Sequence, residues 1–150
     1  MKKLLLLFVI VFACHGAFAQ IEGHVTWAYA AKKVSATEAV VLLKADIDNN
    51  WHIYSASDQP GMAGLKTKFK FNPSKDYAPV GKITEPTPVS KYDKNLKVDI
   101  TYFENSVLFQ QKIKLTGKKA TVKGSLEYIT CNDRKCLPPE TVEFAIQVSI

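Results

Sequence analysis

The feature that most constrains this chain is a period-two alternation of apolar and polar residues, repeated in short runs through most of the sequence. In Leu65-Lys66-Thr67-Lys68-Phe69-Lys70-Phe71 three lysines fall on one side and Leu65, Phe69 and Phe71 on the other. Successive side chains of a strand point to opposite faces, so this is the pattern of a half-buried strand. The same pattern runs through Val142 to Val148, through Leu96, Val98, Ile100 and Tyr102, and through Val107 to Leu115. Further strands are expected at His24 to Ala30, Ala39 to Ile47, Trp51 to Ser55 and Thr121 to Ile129, with turns at Asp48-Asn49-Asn50 and Asn72-Pro73-Ser74. Tyr77 is placed in a loop remote from any site, and Glu85-Pro86-Thr87-Pro88 in an extended connection. Gly61, Met62 and Gly64 read as turn and packing residues. Short strands with regular turn punctuation and no convincing amphipathic helix predict an all-β fold, an antiparallel β-sandwich of about nine strands. There is no internal repeat.

The N-terminus has a different character. Met1-Lys2-Lys3, the apolar run Leu4 to Ala13 and Ala17-Phe18-Ala19 have the n-region, h-region and A-x-A site of a secretory signal peptide, so residues 1–19 are expected to be removed and 20–150 to form the domain. The apolar run is short for a membrane span, and no later stretch approaches the ~20 apolar residues that a transmembrane helix needs. Val11-Phe12-Ala13-Cys14 also resembles a lipoprotein cleavage box, with a bulky residue before the alanine, so anchoring at Cys14 is the minor alternative to ordinary cleavage. Either way Cys14 drops out as a free thiol. Cys131 and Cys136 remain, an even pair in a compartment where disulfides persist.

Removing Lys2 and Lys3 lowers the 20 basic residues to 18 against 14 acidic ones. The lysines are scattered singly, as on a solvated surface, and no block suggests nucleic-acid binding.

The sharpest local feature is Tyr128-Ile129-Thr130-Cys131-Asn132-Asp133-Arg134-Lys135-Cys136-Leu137-Pro138-Pro139-Glu140. Asn132 to Lys135 reads as a hairpin loop closed by the two cysteines. Residues facing each other across a ladder have Cα atoms about 4.5 or 5.5 Å apart, and both separations suit a disulfide. Closing so short a loop removes only about 2 kcal/mol of unfolded-state entropy, against nearly 5 for a loop of about a hundred residues, so stability alone is a weak reason for the spacing. Arg134 and Lys135 would favour a thiolate beside them. Pro138 and Pro139 cannot donate to a ladder, which puts the following stretch at a sheet edge or outside the sheet. On spacing and charge alone, a redox pair and a structural hairpin bond remain equally open. Zinc is less favoured, because beyond the pair residues 20–150 offer only His24 and His52 as further nitrogen ligands. A copper site built from the thiols, His52 and Met62 is weaker still. No cofactor is implied.

Trp51-His52-Ile53-Tyr54-Ser55, Gly64-Leu65-Lys66-Thr67, Tyr102-Phe103 and above all Cys131-Asn132-Asp133-Arg134-Lys135-Cys136-Leu137-Pro138-Pro139 resemble the periplasmic amino-terminal domain of DsbD-type thiol:disulfide interchange proteins. The resemblance implies an immunoglobulin-like sandwich in which Cys131 and Cys136 exchange electrons. The donor would be a thioredoxin-like domain, and the acceptors periplasmic disulfide-exchange proteins such as disulfide isomerases or cytochrome c maturation factors. The membrane-embedded and thioredoxin segments of full-length members have no counterpart in this sequence, so a separate donor protein is expected. The family has aromatic side chains near its thiols on the strand that matches Trp51 to Ser55. Tyr54 and His52 would then line the site and supply hydrogen bonds or a proton. Lys91 to Leu96 lies where the family has a loop that caps the cysteines, which makes Tyr92 the candidate shielding ring and Asp93 a nearby carboxylate. Without the resemblance, Tyr54 is equally a half-buried sandwich aromatic, His52 a surface residue and Lys91 to Leu96 a plain surface loop. A binding or structural sandwich with an inert hairpin bond is the rival function.

Overall fold

The computed structural model describes residues 23–150 apart from Gln59, Met62, Ala63, Asn95 and Leu96. The expected signal peptide and Cys14 therefore lie outside the described residues. The described chain is all strand and turn, in the order β1 (Val25–Lys33), β2 (Glu38–Ile47), β3 (His52–Tyr54), β4 (Lys68–Phe71), β5 (Tyr77–Thr84), β6 (Val89–Asp93), β7 (Val98–Glu104), β8 (Ser106–Leu115), β9 (Lys119–Tyr128), β10 (Thr130–Cys131) and β11 (Glu140–Ser149). All pairings are antiparallel and form three sheets, β1-β2-β8-β5, β10-β3-β7-β6 and β11-β9-β4.

The long strands follow their alternation closely. In β8 every second residue from Val107 to Leu115 is buried, and β2 buries Ala39, Val41, Leu43, Ala45 and Ile47. These side chains meet Val122, Leu126 and Tyr128 of β9, Phe144, Ile146 and Val148 of β11, and Trp51, Ile53 and Phe103 in a single apolar core. Gly124 of β9 allows the close approach of β4: a Cβ there would lie 2.2 Å from the Lys70 carbonyl oxygen and 2.6 Å from the Phe144 ring.

The described residues form eleven strands where about nine were expected: the eight runs named from the alternation and three more that it did not show. Tyr77 is not in a remote loop. It opens β5, is 4% exposed, and donates its hydroxyl to the carbonyls of Asn72 and Lys123. Its strand pairs with β8 up to Val80, then slips register before Thr84 near Gly81, whose φ is +70°. Lys91 to Asp93 is likewise strand and not loop. These residues pair with β7, and the Lys97 amide donates to the Asp93 carbonyl. The third addition, β10, is the one that positions the cysteines.

Candidate functional site

The β9–β11 ladder ends where Tyr128 pairs with Glu140, and the intervening segment leaves that sheet. Thr130 and Cys131 then pair with Ile53 and His52 of β3, so the cysteines belong to the edge of the small sheet. This switch places Pro138 and Pro139 outside any strand, where a missing amide costs nothing.

Cys131 and Cys136 form an antiparallel bridge and are joined by a disulfide, with their Cα atoms 4.0 Å apart. The pair is of the non-hydrogen-bonded kind, flanked by bonds from the Asn132 amide to the Lys135 carbonyl and from the Leu137 amide to the Thr130 carbonyl. That is the closer of the two expected geometries, and its Cα separation is shorter than anticipated. The Asn132 side-chain oxygen accepts from the Arg134 and Lys135 amides and organises the turn. The two cysteines are not equivalent: Cys131 is 1% exposed, whereas Cys136 is an exposed residue.

Strand β3 is two-faced, as alternation predicted. Trp51 and Ile53 enter the main core, while Tyr54 packs with Cys131 and Ile100 on the other side, against Leu65, Val98, Tyr102 and Ile129. The Tyr54 hydroxyl donates to Cys131 Sγ at 3.5 Å. Burial first, and then the Asp93 carboxylate, raise the Tyr54 pKa, so the phenol stays a donor. The His52 ring stands edge-on to Tyr54 at 5.5 Å and tilted against Tyr102 at 4.8 Å. Desolvation lowers its pKa, opposed by Glu104 and Asp133 and assisted by Lys91.

These groups surround a cavity of about 580 Å³ lined by His52, Tyr54, Lys91, Tyr92, Asp93, Lys94, Ile100, Tyr102, Glu104, Cys131, Asn132, Asp133 and Cys136. The cavity thus collects His52, Tyr54, Tyr92, Asp93 and both cysteines from the expected set. Tyr92 lies on its wall and is 56% exposed. Arg134 and Lys135 are not among the lining residues, and the Lys135 ammonium sits 5.7 Å from the centre of the Trp51 ring. Ile100, Tyr102 and Glu104 were not anticipated as a group. Alternation puts them on one face of β7, but which strand β7 pairs with depends on the tertiary fold. A slightly larger cavity between β4 and β5, lined by Phe69, Phe71, Ile83 and Glu85 among others, contains no cysteine. Among the described residues no group of His, Cys, Asp and Glu side chains could hold a metal ion. Met62, the thioether considered for copper, lies outside the described residues.

The model for the N-terminal domain of the thiol:disulfide interchange protein DsbD matches residues 23–147. The chain belongs to that family. Among solved structures it is similar to the DsbD N-terminal domain of Neisseria meningitidis in its reduced form, at 20% identity and a TM-score of 0.54, covering 81% of this chain and 85% of that one. It is also similar to the complex between the DsbD and PilB N-terminal domains of the same organism, at 19% identity and a TM-score of 0.54, with 81% and 80% covered. A third likeness is to the N-terminal periplasmic domain of ScsB from Proteus mirabilis, at 18% identity and a TM-score of 0.57, covering 84% of this chain but 46% of that one. No curated protein matches the sequence. These structural likenesses carry the fold, and the immunoglobulin-like sandwich expected from the sequence is the one observed. Membership of the DsbD N-terminal family, together with the Cys131–Cys136 disulfide, fits a role in thiol:disulfide interchange. Among the described residues no helix is long and apolar enough to cross a membrane.

Proposed function

We propose that this DsbD-type domain is a relay that takes electrons from a thioredoxin-like donor and hands them to periplasmic disulfide-exchange partners through Cys131 and Cys136. Residues 1–19 act as the export signal and residues 20–150 as the working domain. The observation that supports this reading best is the unequal exposure of the two cysteines at a sheet edge. Exchange requires a thiolate to approach one sulfur of the disulfide, and access decides which sulfur is attacked.

The donor thiolate attacks Cys136 Sγ and forms a mixed disulfide. The Cys131–Cys136 bond breaks, and its electron pair leaves on Cys131 Sγ, where the Tyr54 hydroxyl already donates. A second donor thiol then releases Cys136 reduced. In the forward direction the reduced pair repeats these steps on an acceptor disulfide. Tyr92, on the cavity wall, shields the bond until a partner displaces it. The neighbouring complex of DsbD and PilB N-terminal domains supports a protein of that class as partner.

The experiment is trapping in the exporting cell. With Cys131→Ala, Cys136 should accumulate a covalently attached partner, whereas Cys136→Ala should trap much less, because the remaining sulfur is buried. Trapping by neither variant, with a reduction potential below about −300 mV, would favour an inert structural bond instead.

A further inference from the structure

Across the site sheet, side chains of complementary acid–base chemistry stand in one lateral row. Cys131 of β10 is directly opposite His52 of β3, and His52 is directly opposite Glu104 of β7. With the Cys131–Cys136 bridge the row runs from the exposed cysteine through the buried one and the imidazole to a carboxylate. Directly paired residues of an antiparallel ladder project to the same face, with Cβ atoms about 4.5–5.5 Å apart. All four line the same cavity. The ring contacts with Tyr54 and Tyr102 hold the imidazole in place.

We propose that His52 is the proton partner of Cys131, and that Glu104 is a positioning residue that orients the imidazole and favours its charged form. This inference rests on the exchange reading above. In the reduced domain the neutral imidazole takes the proton of the Cys131 thiol, leaving a thiolate beside an imidazolium. That thiolate attacks Cys136 of a mixed disulfide, so the Cys131–Cys136 bond forms and the bond from Cys136 to the partner sulfur breaks. The electron pair leaves on the partner sulfur, which takes up a proton released by His52. In the opposite direction a partner dithiol supplies the two electrons; the neutral imidazole of His52 first takes the proton of the attacking partner thiol and then delivers it to the departing Cys131.

The surrounding charges favour the paired form over a lone thiolate. His52 is faced by Glu104 and Tyr102 from β7, Asp133 from the turn, and Tyr54 from its own strand. Lys91 and Asp93 from β6, and Lys94 directly after it, stand on the same cavity wall. Burial keeps the imidazole neutral when the cysteines are oxidised, so it is free to accept a proton. The three carboxylates, Asp93, Glu104 and Asp133, penalise an isolated thiolate at Cys131 and favour an imidazolium, while the two ammonium groups, Lys91 and Lys94, act the other way and are outnumbered. A thiolate–imidazolium pair carries no net charge and avoids that penalty.

The test is titration of the full chain, oxidised and chemically reduced. Imidazole resonances of His52 should titrate about one pH unit higher after reduction, a tenfold change in proton affinity. In a Cys136→Ala background, His52→Gln should move the thiolate absorbance of Cys131 up by about one pH unit, with Cys14 common to both samples. Glu104→Gln, at an exposed position, should lower the His52 titration of the reduced protein and raise that of Cys131 by less than His52→Gln does, without altering the fold. A His52 titration unmoved by reduction overturns the proposal, as does a thiolate titration indifferent to both substitutions. If His52→Gln does not fold, the resonances of the unsubstituted protein still decide. A disulfide too reducing to exchange, with these couplings intact, would sink the relay reading and leave the proton pairing standing.

Discussion

The two faces of the small sheet are built from the same strands but have opposite chemistry. Inward, Ile53 and Phe103 join Trp51, Phe109 and Leu43 in a dry core whose members carry few polar atoms. Outward, Cys131, Tyr54 and Ile100 are buried beside an imidazole, a phenol and several carboxylates. The inward face ties the sheet to the rest of the sandwich by apolar burial, which is non-directional and large in sum. The outward face holds polar groups in fixed directions, which matters for reactivity more than for stability. The disulfide sits on the face that contributes less to folding, and it closes only a four-residue turn.

Removing a ring from the inner side and a hydroxyl from the outer one should have very different costs. Phe109→Ala, at a fully buried ring packed against Trp27, Phe69 and Phe103, should cost about 3–5 kcal/mol in urea unfolding. Tyr54→Phe removes one hydroxyl from the outer cluster and should cost about 0.5–1.5 kcal/mol while altering the exchange rate. A hydroxyl deletion as costly as the loss of a core ring would mean that the outer cluster carries folding as well as chemistry.

A smaller effect is expected from the disulfide itself. Reduction should leave the sandwich folded and lower its stability by at most about 2 kcal/mol, followed by circular dichroism in mild reductant. Global unfolding at ambient temperature would transfer the bond to the structural side of the comparison.

The smallest effect on stability is expected at the rim. Tyr92→Ala should change unfolding free energy by less than about 0.5 kcal/mol, yet speed reduction of the disulfide by a small thiol at an almost unchanged potential. Val34→Ala, at an exposed residue between β1 and β2, is the control. Tyr77 cannot serve as one, because it is buried and hydrogen-bonded under β5. Equal reduction rates for the unsubstituted protein and Tyr92→Ala would remove the shield from the mechanism.

The long strands and the cysteine turn were legible because their signals are local. Alternation in Ser106–Leu115 reports which side chains are buried whatever strand lies alongside, and Cys131-Asn132-Asp133-Arg134-Lys135-Cys136 closes on itself through contacts a few residues apart. Strands β5 and β6 were not legible: Pro79, Gly81 and mostly exposed residues blur the period in one, and the other is an exposed edge. Lys135 shows the limit of reading charge from spacing. Adjacent to Cys136 in sequence, its ammonium nonetheless lies over a ring from another part of the chain, Trp51.

By itself the sequence determined the fold class, the apolar faces and the closure of the Cys131–Cys136 turn, all of which follow from periodicity or short-range geometry. Only the tertiary structure decided that the turn leaves the β9–β11 ladder to join β3, and with it the row Cys131, His52 and Glu104. Those residues lie 79, 52 and 27 positions apart along the chain by their numbering. They meet through cross-strand register, which depends on how whole sheets pack and leaves no local trace.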